Sequence, residues 1–302
     1  MYVLIEALRS ALAAIRAHRL RSFLTSLGVI IGVASVIAVV SLIQGMSQSV
    51  SKQFEGLGSN AITVSAKNDF KDVLRGKINN LRFEDVEQLR SHVNGIRDLC
   101  PVFSPGGGEV RVGNSKSFAH VMATTPSYQD VHQRFVQSGR FLSAVDEANA
   151  RRVAVIGSKL IDGLNIKGDP LGQFVQYSGE WFKIIGVMET RGELFGMSQD
   201  DYLIIPFKTG RSMIGNEVRP NIRINVSSDS ATPADEVKRQ LTAAMRISHK
   251  LKAEEKDDFE LVASDQLSKS FAEISTMVTM VMGGIVGIAL LVGGIGIMNI
   301  ML

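Results

Sequence analysis

Two long stretches of the chain carry no charge, and between them apolar and polar positions alternate in short runs. The first stretch, Phe23 to Ile43, reads FLTSLGVIIGVASVIAVVSLI and is 21 residues long. As a helix at roughly 1.5 Å per residue it covers about 30 Å, the thickness of the hydrocarbon core of a bilayer. The second runs from Ile274 to Leu302, 29 residues that include MVMGGIVGIALLVGGIGIMNIML. One Lys or Asp at mid-membrane costs roughly 2.5–3.5 kcal/mol on insertion scales, so two uncharged runs of this length predict transmembrane helices rather than buried core helices. Ahead of the first, Ile5, Leu8, Leu12 and Ile15 share one helical stripe, with Glu6, Arg9 and Arg16 elsewhere. Residues 1–22 therefore read as an amphipathic helix lying along the inner membrane surface.

The segment 44–273 has a different rhythm. Short β-branched or apolar runs predict strands at 61–65 (AITVS), 118–124 (FAHVMAT), 152–157 (RVAVIG), 182–188 (FKIIGVM), 202–206 (YLIIP) and 222–226 (IRINV). Helical spacing occurs at Phe83–Val93 and at Pro233–Lys250, the latter with Thr232 as N-cap, Pro233 at the first helical position and Asp235 three residues after the cap. Strands interspersed with few helices favour an α+β domain, extracytoplasmic and flanked by the two spans, with 126–225 as its second subdomain. Pro105 to Gly108 reads as a turn, because a phosphate-cradling loop would need a following helix and a Lys-Ser/Thr pair. The helical pattern before the second span begins near Asp265, with Leu267, Phe271 and Ile274 on one face. Thirty-eight residues exceed what a bilayer needs, so the first turns are expected to project outward as a stalk.

Charge fixes the orientation. The net charge of +3 lies entirely in residues 1–22, where Arg9, Arg16, Arg19 and Arg21 face only Glu6. Residues 44–273 hold 29 basic and 29 acidic residues, a neutral balance that argues against a nucleic-acid face. Four arginines just before the first span hold the N-terminus in the cytoplasm by the positive-inside rule. The first span then stays as a signal anchor, the 230 residues that follow lie outside, and the second span returns inward. Mean hydropathy of +0.13 at 21% charged residues reflects this bunching of apolar residues and excludes disorder. Cys100, the single cysteine, has no partner and is expected to be a buried, inert thiol.

Within the spans, Gly28 and Gly32, Ala34 and Ala38, and Gly283 and Gly287 stand four apart. Such spacing marks close helix packing, and two spans alone make a poor bundle, so helices of another chain are implied. No catalytic constellation emerges. The histidines at 18, 92, 120, 132 and 249 are scattered, and there is no His-Glu-x-x-His, Cys-x-x-Cys, Gly-x-Ser-x-Gly or Gly-x-x-x-x-Gly-Lys-Ser/Thr. The acidic pairs Asp200/Asp201 and Asp257/Asp258 read as solvated loops. Neither a metal, a cofactor nor an enzymatic activity is expected of this chain.

Particular residues resemble a known family. RLRSFLTSLGVIIGVASVIAVVSLIQG (19–45) is similar to the first-span signature of MacB-like ABC transporter permeases, a superfamily that includes the FtsX-like proteins. SGRFLSAVDEANARRVAVIGSKL, DPLGQFVQYSGEWFKIIGVMETRG and DYLIIPFKT, all within 138–209, resemble its periplasmic core domain, and GGIGIMNIML (293–302) resembles the end of its second span. The resemblance implies a multi-pass protein of the bacterial cytoplasmic (inner) membrane. It also implies a homodimer or a second permease half, a separate cytoplasmic ABC ATPase that binds the ATP, and a periplasmic adaptor protein. Such permeases have four spans, so a chain stopping at Leu302 is expected to be a fragment, a truncated product or half of a split permease. The expected role is mechanotransmission: motion driven by ATP elsewhere reaches the outer domain of an exporter or extractor. An FtsX-like regulator of a cell-wall hydrolase and a two-span sensory receptor are the alternatives.

Overall fold

The computed structural model describes residues 5–6, 9, 23, 27, 30–45, 61–76, 78–106, 108–194, 196–215, 220–229, 232–263, 273–285, 287–288, 291, 295 and 298. They belong to two compact units, 53–267 and a second made of 1–52 with 268–302.

In the second unit, residues 30–45 and 273–285 are helical. Their few hydroxyls bond backward along the helix, Ser35 Oγ to the Ile31 carbonyl at 2.6 Å and Thr279 Oγ1 to that of Ser275 at 2.8 Å. A polar side chain in an apolar helix is satisfied in this way without water. Side chains such as Ile31, Ile37, Leu42, Met277 and Met280 point outward and are exposed. Among the described residues no helix is long and apolar enough to cross a membrane. The stalk expected from 265 to 272, and most of the amphipathic helix over 1–22, lie outside the described residues.

The unit 53–267 opens with β1 (Ala61–Ala66), α1 (Phe70–Leu74), α2 (Phe83–His92), β2 (Ile96–Phe103), β3 (Glu109–Val112), β4 (Ser115–Phe118) and β5 (His120–Thr124). It continues with α3 (Tyr128–His132), β6 (Val136–Gly139), α4 (Ala144–Ala148), β7 (Val153–Ile156), α5 (Ser158–Gly163), β8 (Phe174–Tyr177) and β9 (Glu180–Met188). Then come β10 (Glu193–Leu194), β11 (Met197–Ser198), β12 (Tyr202–Pro206), α6 (Phe207–Ile214), β13 (Arg223–Ser228), α7 (Ala234–Ser248) and β14 (Phe259–Ala263). Twelve strands form one sheet in the order β14-β1-β13-β2-β5-β12-β7-β9-β8-β3-β4, with β6 also on β9.

One end of this sheet is a frame. β1, α2, β2, β13, α7 and β14 follow the order β-α-β-β-α-β, and their strands pair antiparallel as β14-β1-β13-β2. This is the ferredoxin-like arrangement. Its two helices cover one face because their apolar residues repeat at helical spacing. Val237, Leu241, Ala244 and Met245 of α7 are buried, as are Val86 and Leu89 of α2, over Ile62, Val64, Ile224 and Val226 of the strands. Residues 104–222 are inserted between β2 and β13. The expected boundary at 126 falls inside this insertion, after β5, and the sheet runs unbroken across it.

The strands in the middle of the sheet are buried on both sides, which explains why they read as continuous apolar runs. On β12, Leu203 and Ile205 enter the core beneath the helices of the frame, while Tyr202 and Ile204 enter a second core with Cys100, Tyr128, Phe141 and Met188. β12 runs parallel to β5, and β7 parallel to β9; the other pairs are antiparallel.

Three expectations are corrected. The run 118–124 is not one strand: β4 ends at Phe118 against β3, the Ala119 N–H still bonding the Gly108 carbonyl at 2.7 Å in that register, and β5 starts at His120 between β2 and β12. The helix expected from Pro233 starts at Ala234, with Pro233 rather than Thr232 as N-cap. The extended ψ of 136° at Pro233 places the helix start one residue later, so Thr232 lies too far back to cap it. Of the acidic pairs, Asp200 is not a solvated loop residue, whereas Asp257 and Asp258 do lie in a loop, with side chains 37% and 28% exposed. Asp200 is buried, its carboxylate filled by the N–H groups of Arg191 and Gly192, while Asp257 pairs with Arg246 and Asp258 with His249.

Candidate functional site

The unit 53–267 carries a cleft and three polar clusters that hold its parts together. The cleft, about 510 Å³, opens between α2 and β2 of the frame and α4 and α6 of the insertion. Val86, Leu99 and Phe207 form part of its floor, and Arg90, Glu147 and Lys208 part of its rim. Phe83, Phe103 and Phe207 meet edge-on, with ring centroids 5.2–5.6 Å apart, and the Arg211 guanidinium lies 4.5 Å over the Phe83 ring. These contacts pin α6 to α2. Glu147 closes the start of α6 by accepting the Lys208 N–H at 3.1 Å, and burial raises its carboxyl above the usual range.

The first polar cluster centres on Asp146, fully buried at the start of α4. Ser143 and Asp146 form a reciprocal capping box, and Arg140 Nη1 donates to Asp146 Oδ2 at 2.6 Å. Burial alone would raise Asp146; the hydrogen bonds of Arg140 and Ser143 outweigh it and hold the carboxyl well below the usual range.

The second lies in the smaller core. His132 stacks on Tyr128 at 4.4 Å and receives the Asn225 amide on Nε2 at 3.1 Å, while Asn225 Oδ1 accepts from Thr63 Oγ1 at 2.9 Å. Burial, followed by the charges of Arg134 and Arg191, lowers His132 to about 4, so it is neutral and can accept. Arg134 lies 4.9 Å over the Tyr202 ring and 3.9 Å from Asp200.

The third joins α2 to α7. His249, just after α7, sits between Asp85 (Nε2 to Oδ2, 3.0 Å) and Asp258 (Nδ1 to Oδ1, 2.7 Å), and Ser248 also donates to Asp85.

None of these clusters presents a nucleophile to a base. Burial pushes the Cys100 thiol up to about 12, and its sulfur rests on Thr124 Oγ1 at 3.2 Å. Its burial agrees with the sequence reading. Among the described residues no group of His, Cys, Asp and Glu could hold a metal ion.

Of the residues singled out in the sequence, Arg9 is helical and exposed; Arg16, Arg19, Arg21 and Gly28 lie outside the described residues. Gly32 is helical and half-buried. Gly283 and Gly287 are helical and exposed, and a Cβ built on either meets nothing within 4 Å. The polar clusters were not singled out in the sequence. Only the Ser143–Asp146 box had a local signal, a Ser three residues before an acid. The partners of His249 and Asn225 that lie more than 90 residues away leave no periodic trace.

A ferredoxin-like frame with an inserted lobe makes up this unit, and two uncharged runs flank it in the sequence. The chain belongs to the family described as MacB-like periplasmic core domain, whose model matches residues 22–244. It is 31% identical over 306 aligned residues to the macrolide export ATP-binding/permease protein MacB of Bdellovibrio bacteriovorus, covering 99% of this chain and 46% of that protein. With the MacB of Azoarcus sp. it shares 33% identity over 304 residues, 99% of this chain and 44% of that one. The chain thus spans less than half the length of these relatives. Its fold is similar to the crystal structure of the periplasmic region of MacB from Actinobacillus actinomycetemcomitans (TM-score 0.60, 23% identity, 74% of this chain and 98% of that one). The extracellular domain of the ABC-type transporter YknZ from Gram-positive bacteria also matches, with a TM-score of 0.53 at 20% identity over 67% of this chain and 99% of that one. The resemblance read from the sequence is therefore shown, and so is a mixed α/β periplasmic-type domain.

Proposed function

We propose that this chain is a permease part of an ABC-type exporter of the bacterial inner membrane. It passes motion driven by ATP on a partner subunit to its own outer domain and does no chemistry itself. The observation that carries the reading is the family match over 22–244, which begins at the edge of one uncharged run and lies ahead of the other. Residues 23–43 and 274–302 are the spans in this reading, and Arg9, Arg16, Arg19 and Arg21 keep the N-terminus in the cytoplasm. The Gly28/Gly32 and Gly283/Gly287 faces pack against helices of a second copy or a second permease half, since lipid offers little drive for helix association except close contact. A cytoplasmic ABC ATPase and an extracytoplasmic adaptor complete the assembly. The relatives are named as macrolide export ATP-binding/permease proteins, and a hydrophobic small molecule is the corresponding cargo here.

Labelling of single-cysteine variants in whole cells tests the topology on which the reading depends. Asn114→Cys, in the exposed turn between β3 and β4, should react with a membrane-impermeant maleimide from outside; Ser10→Cys should react only after permeabilisation. The reverse pattern would overturn the proposal.

A further inference from the structure

His249 is held between two carboxylates, one on each ring nitrogen, and the count of hydrogens at that position has a consequence. Nε2 lies 3.0 Å from Asp85 Oδ2, and Nδ1 lies 2.7 Å from Asp258 Oδ1. A neutral imidazole carries one N–H and can donate to only one of them; its other nitrogen would turn a lone pair toward a carboxylate oxygen. Both contacts are attractive only when the Asp85–His249–Asp258 unit holds a second proton, as imidazolium or shared with Asp258. Asp85 has no spare donor to supply it. Its oxygens already accept from Ser248 Oγ and from the Arg82 N–H at 2.6 Å, so it is held as the anion. The side chains of His249 and Asp85 are buried, 6% and 1% exposed, Asp258 is 28% exposed, and Phe259 closes one side with its ring edge-on, 6.1 Å from the imidazole between centroids.

The three residues come from three places. Asp85 lies in the first turn of α2, His249 directly follows α7, and Asp258 directly precedes β14. The Asp258 carbonyl accepts the Lys67 N–H at 2.9 Å, which ties the same corner to the end of β1. Among the described residues β14 is an edge strand paired with β1 alone, and from it the sequence runs on toward the uncharged run at 274.

We propose that His249 is a proton-operated latch. Doubly protonated, it clamps the start of β14 and the end of α7 onto α2; neutral, it releases one carboxylate and loosens that corner. Asp85 and Asp258 are the charged groups facing the ring. Arg246 stands nearby but is spent on Asp257 and on the carbonyls of Lys252 and Glu255. The hydrogen bonds from both carboxylates raise His249 above its ordinary value of 6.5 although burial opposes them, so release falls on the alkaline side of that value. The latch is a property of the unit 53–267 and does not depend on the permease reading.

The test is amide hydrogen exchange on the full chain in detergent, between pH 6 and pH 9, corrected for intrinsic exchange. Exchange in β14 and the last turn of α7 should speed up about ten-fold as pH rises, the factor a charge-assisted hydrogen bond is worth, while β12 stays unchanged. Asp258→Asn is the decisive variant. Its new side-chain amide can donate to Nδ1 while Nε2–H donates to Asp85, so a neutral His249 satisfies both neighbours and the pH dependence should vanish with the corner still closed. His249→Gln should leave the corner loose at both pH values. Nitrogen NMR of the ring, assigned by loss of the signal in His249→Gln, should show two protonated nitrogens at pH 6. A single neutral tautomer at pH 6 would overturn the latch, as would pH-dependent exchange that persists in Asp258→Asn.

Discussion

Gly139 faces Gly186 across β6 and β9, where the two strands close on each other with no room for a side chain. A Cβ on Gly139 would come within 2.4 Å of the Ile185 carbonyl oxygen, and one on Gly186 within 2.3 Å of the Arg140 carbonyl oxygen. Gly139 also has φ +77°, a left-handed conformation that costs any other residue, whereas Gly186 has an ordinary φ. The pairing sets Arg140 in place: its N–H donates to Ile185 at 2.9 Å, and its side chain reaches Asp146.

Gly139→Ala should therefore cost about 2–3 kcal/mol, from backbone strain and clash together, and Gly186→Ala about 1–2 kcal/mol, from clash alone. Urea unfolding of the two variants checks the order. Equal losses would mean that the positive φ at Gly139 contributes nothing.

Asp146→Ala should destabilise the unit 53–267 by about 2–4 kcal/mol, since it removes a helix cap and a charge-assisted hydrogen bond at a buried site. The pH dependence has a definite sign. The folded-state value of Asp146 is depressed, so its contribution is present above the ordinary 3.8 and is lost as pH falls through the depressed value. Asp146→Asn should flatten the acid limb of a stability profile measured between pH 5 and the acid transition; an unchanged limb would place the acid sensitivity elsewhere.

Cys100, buried with its thiol pushed up to about 12, should be silent toward thiol reagents in the folded protein. Modification should proceed only through opening of the second core and should accelerate with urea in step with unfolding. Fast labelling without denaturant would show that the core around Tyr128 and Met188 opens locally.

Purified alone, the chain should neither bind ATP analogues at micromolar concentration nor hydrolyse ATP, because no loop in it cradles phosphate with a following Lys-Ser/Thr. Turnover that co-purifies through a final ion-exchange step would contradict the view of a transmitting subunit.

Replacing Gly283 and Gly287 together by Leu should abolish dimer crosslinking in membranes that contain the complete assembly, while insertion is kept. A Cβ at either position meets nothing within 4 Å among the described residues, so a loss must come from a neighbouring helix. Crosslinking equal to wild type would make these glycines ordinary membrane-helix residues.

What could be read directly from the residues was whatever has a short period or a long uniform run. β1, β7, β9, β12 and β13 announced themselves because a strand buried on one or both faces must repeat every two residues or be apolar throughout. α2 and α7 did so through their 3.6-residue spacing, and the two uncharged runs through length alone. The order of the sheet was not legible, because strands such as β3 and β4 are four residues long and half-polar, and β8 is recognisable only once β9 lies beside it. Nor could the acidic pairs be judged. Asp200 looks like a surface residue in the chain, and only the fold brings it the donors at Arg191 and Gly192 that make its burial possible. Burial of charge depends on partners supplied from distant positions, and no local pattern encodes which partners those are.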